Sequence, residues 1–174
     1  YLRLDAEKFF LLTGEAMCCR EKCRLSWLEP SDWEKAMLLV WESFLASEGK
    51  IYKEEGIKRF SEFITSKRLK EEFLRGECKV MAAYLEDRIV GIGSTRHINQ
   101  LSLLFVDKDM QRQGIGRAIL ERLCAYLKEE ASQTQMRLMA APGAEGFYRK
   151  NGFFDLTKEL ETDGIRVTIM GKYL

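Results

Sequence analysis

Proline and histidine are nearly missing from this chain: 174 residues hold two prolines, Pro30 and Pro142, and one histidine, His97. No Pro/Ser-rich linker, internal repeat or low-complexity tract interrupts it, so one continuous domain with a single core is expected. Scarce histidine also argues against a metal site. Cys18, Cys19 and Cys23 lie close together, but no Cys-x-x-Cys pair exists and His97 is far away in sequence, so no metal is expected. The five cysteines are odd in number and irregularly spaced, which excludes a regular disulfide framework and fits a reducing cytoplasm. An excess of charge of one sign is lacking too. Against 27 acidic side chains stand 28 basic ones, and a net charge of +1 gives no electrostatic ground for nucleic-acid or membrane partners. Long hydrophobic runs are absent as well: Ala36 to Trp41 and Leu101 to Val106 fall far short of the roughly 20 apolar residues of a membrane span. Phe9 to Leu12 follows Asp5 and Glu7 without the apolar length of a secretory signal.

What is present is the balance of a soluble globular domain, 46% hydrophobic and 32% charged. Residues 1–22 are read as an N-terminal extension ahead of a domain over 23–174. The first sixteen precede Met17 and fit either a native extension or an artificial addition. Cys23 to Leu28 reads as a strand. Pro30 then precedes Ser31 and Glu34, which have capping-box spacing, so a helix is expected with Trp33, Met37, Val40, Trp41 and Phe44 on its core face. A second helical region is expected over about Glu54 to Arg75, with Ile57, Phe60, Ile64 and Phe73 inward and Gly76 at its end.

The period then changes. Lys79 to Leu85 and Ile89 to Thr95 form a hairpin about Glu86-Asp87-Arg88. Leu101 to Val106 reads as a strand buried on both faces. Ile115, Ile119, Leu123 and Leu127 mark a strong helix, with Ala118 and Tyr126 beside them. Next come a strand over Met136 to Ala141, a break at Pro142-Gly143, and a short helix from Ala144 to Lys150 that Asn151-Gly152 closes. Strands around Phe153 to Leu160 and Ile165 to Lys172 follow, joined at Asp163-Gly164. The order is mixed α/β.

The informative segment is the passage from Leu101–Val106 into Gln111-Arg112-Gln113-Gly114-Ile115-Gly116-Arg117. Glycines at 114 and 116 let a phosphate approach the backbone, and the first-turn N–H groups of the helix that follows lack intrahelical acceptors. Arg112 and Arg117 could add side-chain charge. A lone Gly-x-Gly also serves as an ordinary turn. No Gly-Lys-Ser/Thr of a P-loop and no third glycine of a dinucleotide fingerprint is present.

Gln111-x-x-Gly114-x-Gly116, directly after a Leu-Phe-Val strand end, resembles the Arg/Gln-x-x-Gly-x-Gly/Ala acetyl-CoA signature of the GCN5-related N-acetyltransferase (GNAT) superfamily. Pro30-Ser31-Asp32, Ile89-Val90-Gly91 and Phe147-Tyr148-Arg149-Lys150-Asn151-Gly152-Phe153 fall in the order of that family, and the resemblance covers about Cys23 to Leu174. It implies an α/β fold with a central mixed, mostly antiparallel sheet of six to seven strands flanked by about four helices. It implies acetyl-CoA as cosubstrate, no metal, and direct acetyl transfer to a primary amine on a small molecule or a peptide. Gln111 through Arg117 would hold the pyrophosphate. Strand Leu101–Val106 would splay from Met136–Ala141, leaving the N–H of Phe105 or Val106 to bond the thioester carbonyl and the oxyanion formed on attack.

A protonated alkyl amine cannot attack, so a base must take its proton and an acid should meet the departing thiolate. By resemblance Tyr148 is the acid, although its helical spacing also suits packing. For the base, His97 has a suitable intrinsic pKa but sits at a turn, and Glu42 and Glu48 could reach the acceptor mouth but read as a solvated face. Cys124, on a core-facing side, is expected to be inert. Trp41, Phe44, Tyr52, Phe60 and Phe63 could line an acceptor pocket, although their spacing favours the core. Homodimerisation through the last strands is common in the family. A rival reading is an acyl-CoA-binding sensor of the same fold without turnover.

Overall fold

Residues 16–18, 23–162 and 164–174 are described by a computed structural model, in which they form nine strands and five α-helices. In chain order these are β1 (Ala16–Cys18), β2 (Cys23–Trp27), α1 (Trp33–Ser47), α2 (Glu54–Ile64), α3 (Lys67–Leu74), β3 (Lys79–Leu85), β4 (Arg88–Arg96), β5 (Gln100–Val106), α4 (Ile115–Glu129), β6 (Gln135–Ala140), α5 (Glu145–Lys150), β7 (Phe154–Asp155), β8 (Leu160–Thr162) and β9 (Ile165–Tyr173). Six strands carry the sheet; β1, β7 and β8 are three residues or fewer. The order is β1-β2-β3-β4-β5-β6-β9-β7, with β8 hydrogen-bonded to β9. Neighbours run antiparallel except β5 and β6. No helix among the described residues is long and apolar enough to cross a membrane.

Each face of the sheet buries its own core. Helix α4 packs one face through Ile115, Ile119, Leu120, Leu123 and Leu127, the stripe expected of its repeat. It lies unusually close to β4, because a Cβ on Gly91 would stand 2.9 Å from both Ile115 and Ile119, and one on Gly93 would overlap Ile119. Helices α1–α3 cover the other face with Trp33, Met37, Val40, Ile64 and Leu69. Trp41 on α1, expected in the core, is half exposed.

Four local expectations are corrected. Ser31 and Glu34 form no capping box: Pro30–Asp32 is a 3-10 turn, Asp32 caps α1 without a side-chain bond to the helix backbone because its carboxylate accepts from Lys35 and Tyr84, and the Glu34 carboxylate is engaged by Lys70 instead. The single helix expected over 54–75 breaks at Thr65-Ser66, where the Ser66 hydroxyl accepts the Leu69 N–H at 3.2 Å and starts a new helix. The strand expected over 153–160 is only Phe154–Asp155 and then Leu160–Thr162, because Leu156 and Thr157 turn across the Ile169 carbonyl. Strand β5 is not buried throughout; Leu101 and Leu103 are buried, whereas Leu104, Phe105 and Val106 are half exposed.

Candidate active site

The exposure of β5 follows from how it leaves its neighbour. It pairs with β6 at only two positions, Gln100 with Arg137 and Leu101 with Leu138. The register against β4 slips there, Thr95 facing Leu101 and Ser94 facing Leu103, so Ser102 is an extra residue. A bulge bends a strand and reverses its alternation. Accordingly Leu101 points into the α4 core and Leu103, two residues on, into the α1 core. Beyond the bulge β5 diverges from β6 and a gap opens between two parallel strands.

Backbone direction beyond the bulge decides which N–H faces that gap. The Asp107 N–H bonds the Val90 carbonyl of β4 at 2.9 Å. Strand N–H groups alternate between the two edges, so Phe105 also points at β4, whereas Leu104 and Val106 point into the gap. The Val106 carbonyl agrees, since it accepts the Gln111 side-chain amide at 3.1 Å from outside the sheet. Of the two N–H groups expected at the thioester, that of Val106 faces the gap and that of Phe105 faces β4.

On the α4 face the gap opens into a cavity of about 370 Å³ between β5, the start of α4 and α5. Gln111, Arg112, Gly114, Ile115, Gly116 and Arg117 line it, and Gln113 does not. Gly114 has φ +84°, a left-handed turn that a side chain disfavours, and Arg112 at φ +61° bears that cost itself. The first N–H with a helical acceptor is that of Ala118, bonded to the Gly114 carbonyl. The N–H groups of Gly114, Ile115 and Gly116 have no main-chain acceptor among the described residues, as the first turn of a helix dictates. A Cβ on Gly116 would sit 3.5 Å from Val106 and 3.7 Å from Phe147, so its hydrogen keeps open a channel between strand and α5. Free N–H groups at a helix start beside an open channel fit a pyrophosphate with a pantetheine arm. Arg117 pairs with Glu121 along the helix at 2.7 Å, so part of its charge is directed sideways.

On the other face lies a second cavity, of about 200 Å³, walled by Phe44, Tyr52, Phe60 and Phe105 and bordered by Ile165 and Val167 of β9. Phe105, expected beside the cosubstrate, lines this side. Leu104, Ala144 and Tyr148 line both cavities, so α5 places Tyr148 where they meet. The Tyr148 ring packs edge-on to Phe147 and Phe153 at centroid distances of 5.2 and 5.7 Å. Burial and then the nearby Glu48 charge push its phenol well above the ordinary tyrosine range, so it stays protonated.

Glu48 is the residue that sequence reasoning undervalued. It is the C-cap of α1, and its carboxyl faces the second cavity. Burial lifts its pKa from 4.5 to about 7, opposed by the Tyr52 phenol beside it. The Glu-Gly turn after an amphipathic helix gave only the weak signal of an acidic side chain at a helix end. The other base candidates are elsewhere: His97 is exposed in the β4–β5 turn at φ +48° and lines neither cavity, and Glu42 is exposed by a surface depression next to Asp107–Asp109. Cys124 is half-buried and its thiol is pushed up by burial, which suits an unreactive role.

A mixed sheet split between parallel strands carries a glycine-opened helix at one end of the split. The chain belongs to the GNAT acetyltransferase family: the model of the acetyltransferase (GNAT) domain matches residues 49–174. A Bacillus subtilis (strain 168) protein carrying a provisional acetyltransferase name is 29% identical over 102 residues, which is 57% of this chain and 69% of that one. Among solved structures, a GCN5-related N-acetyltransferase from Rhodopseudomonas palustris superposes with a TM-score of 0.76 at 19% identity, covering 91% of this chain and 99% of that one. The PaiA N-acetyltransferase of Thermoplasma acidophilum, solved in complex with coenzyme A, superposes with a TM-score of 0.73 at 22% identity, covering 88% and 100%. At these identities the superpositions speak for the fold.

Proposed function

We propose that the protein is an acetyl-CoA-dependent N-acetyltransferase that transfers the acetyl group to a primary amine by direct attack, with both substrates bound together. The observation that carries this reading is the position of Tyr148 at the junction of two cavities that otherwise lie on opposite faces of the sheet. Bound in the α4-side cavity, acetyl-CoA would supply an activated thioester. Gly114, Ile115 and Gly116 would hold its pyrophosphate through main-chain N–H groups, with Arg112 at the mouth adding charge.

Each remaining role falls to a group of known placement. The Val106 N–H, directed into the gap, would bind the thioester carbonyl oxygen and favour the negative charge that grows there on attack. Tyr148, kept protonated by its surroundings, would donate its phenolic proton to the sulfur as the carbon–sulfur bond breaks, and recover one from the attacking nitrogen. Cys124 would form no acyl-enzyme, being outside both cavities. Thiol release from acetyl-CoA in the presence of primary amines tests the reading. Tyr148→Phe is expected to lower kcat about 100-fold while CoA affinity stays within about twofold. Unchanged turnover would return Tyr148 to packing, and CoA binding without thiol release for any amine would favour a sensor.

A further inference from the structure

We propose that the acceptor is a compact monoamine with an apolar body of aromatic-ring size, its nitrogen placed against Glu48, which removes its proton. This rests on the acetyl-transfer reading and adds the class of acceptor and the base.

The second cavity is mixed in character, with an aromatic wall on one side. Phe44 stacks on Phe60 at 4.0 Å, and Phe105 closes on Phe60 at 5.8 Å and on Phe44 at 6.5 Å. Tyr52 extends the wall, 5.9 Å from Phe44. Phe44 is almost fully buried and backs the wall, so the apolar area on offer comes from the half-buried Tyr52, Phe60 and Phe105, which favour a planar or aliphatic body. Glu48 is the single charged side chain among the described residues lining the cavity. One anion matches one ammonium. A second ammonium on the same molecule would enter an apolar wall without a counter-charge, which disfavours polyamines and polycationic sugars. A volume of about 200 Å³ admits a side-chain-sized body.

The position of Glu48 suits the chemistry as well. Glu48 and Tyr148 line the same cavity, and in the proposed complex they would stand on either side of the amine nitrogen. Groups facing Glu48 are Tyr52, which favours its ionised form, and Tyr148 from α5; Arg166 of β9 acts on Tyr52. Burial lifts it to about 7, into the range where a carboxylate can take a proton from the amine near neutral pH. In balance, the ammonium gives one proton to Glu48 and its freed lone pair forms the carbon–nitrogen bond. As the carbon–sulfur bond breaks, the sulfur gains a proton from Tyr148, the nitrogen returns its second proton to Tyr148, and Glu48 releases its own to solvent.

The probes are 2-phenylethylamine, spermidine and an alanine-initiated tripeptide. Each is followed by thiol release and by calorimetric binding to protein saturated with CoA. The expected result is kcat/KM for 2-phenylethylamine at least 10-fold above the other two, with activity rising through about pH 7. Glu48→Gln should lower kcat about 100-fold, flatten that rise and weaken amine binding while leaving CoA affinity unchanged; Glu48→Asp should recover part of each. Preference for spermidine or the tripeptide, or full activity and an unaltered pH profile in Glu48→Gln, would overturn the proposal. Glu48-dependent binding of 2-phenylethylamine without thiol release would uphold the pocket and defeat the transfer reading. No amine binding would defeat the pocket, even with CoA bound normally.

Discussion

Glu48 shows how a single side chain can carry function at the expense of stability. Its pKa is raised on folding, so between about pH 4.5 and 7 the folded protein holds a proton that the unfolded chain has lost, and stability falls as pH rises through that window. Above pH 7 the half-buried charge remains a liability. Glu48→Gln is therefore expected to stabilise the protein at pH 8 by about 1–2 kcal/mol, a figure discounted for solvent screening, and to have little effect at pH 4.5. Thermal unfolding at the two pH values measures this, and equal shifts at both would refute the burial of the carboxylate. Gly114 and Gly116 were legible in the sequence because their role is local: a turn and an open channel each depend on a residue having no side chain. Glu48 was named only as a solvated candidate, because the cavity it lines is completed by Phe105, Val167 and Tyr148, which are distant along the chain. The same distance hid the choice between Phe105 and Val106, which one extra residue at Ser102 decides.

Among the elements, α4 and β5 carry the site, and each was found in the sequence for a different reason. The four-residue repeat of α4 exposes its burial directly. Strand β5, a run of apolar residues, was legible as a strand, but apolar runs do not tell a fully covered strand from one that lines a cleft. The short last strands were misread because a β-rich composition says little about where hydrogen bonding to β9 is interrupted. Helix α4 also gives the sharpest element-level test. Position 116 lies in its first turn without positive φ, so Gly116→Leu gains helix propensity of up to about 1 kcal/mol while its side chain fills the space between Val106 and Phe147. The variant should unfold at or above the wild-type temperature and bind CoA at least 10-fold more weakly. Near-normal affinity would mean that the channel is not the binding path. Across the other cavity, the α1–α2 connection is joined to the β8–β9 hairpin by the Lys53–Glu161 ion pair at 2.9 Å and by the approach of Gly56 to the Gly164 carbonyl.

At the scale of the whole molecule, the sheet is the partition and its split is the passage. One cavity lies on the α4 face and the other on the α1–α2 face, and where β5 and β6 part they share Leu104, Ala144 and Tyr148 as lining. The order of elements and the family were legible, since strand, glycine-opened helix and Phe-Tyr segment follow in sequence as they do in space. The splay of β5 from β6 came through the family resemblance alone, because nothing in the composition of either strand shows that their parallel pairing fails after two residues. All functional roles assigned here depend on the α4-side cavity receiving an acyl-CoA. Calorimetric titration of the purified protein with acetyl-CoA examines that dependence without reference to any acceptor: saturable binding of one molecule per chain is the predicted result, and the absence of saturable binding would contradict the account.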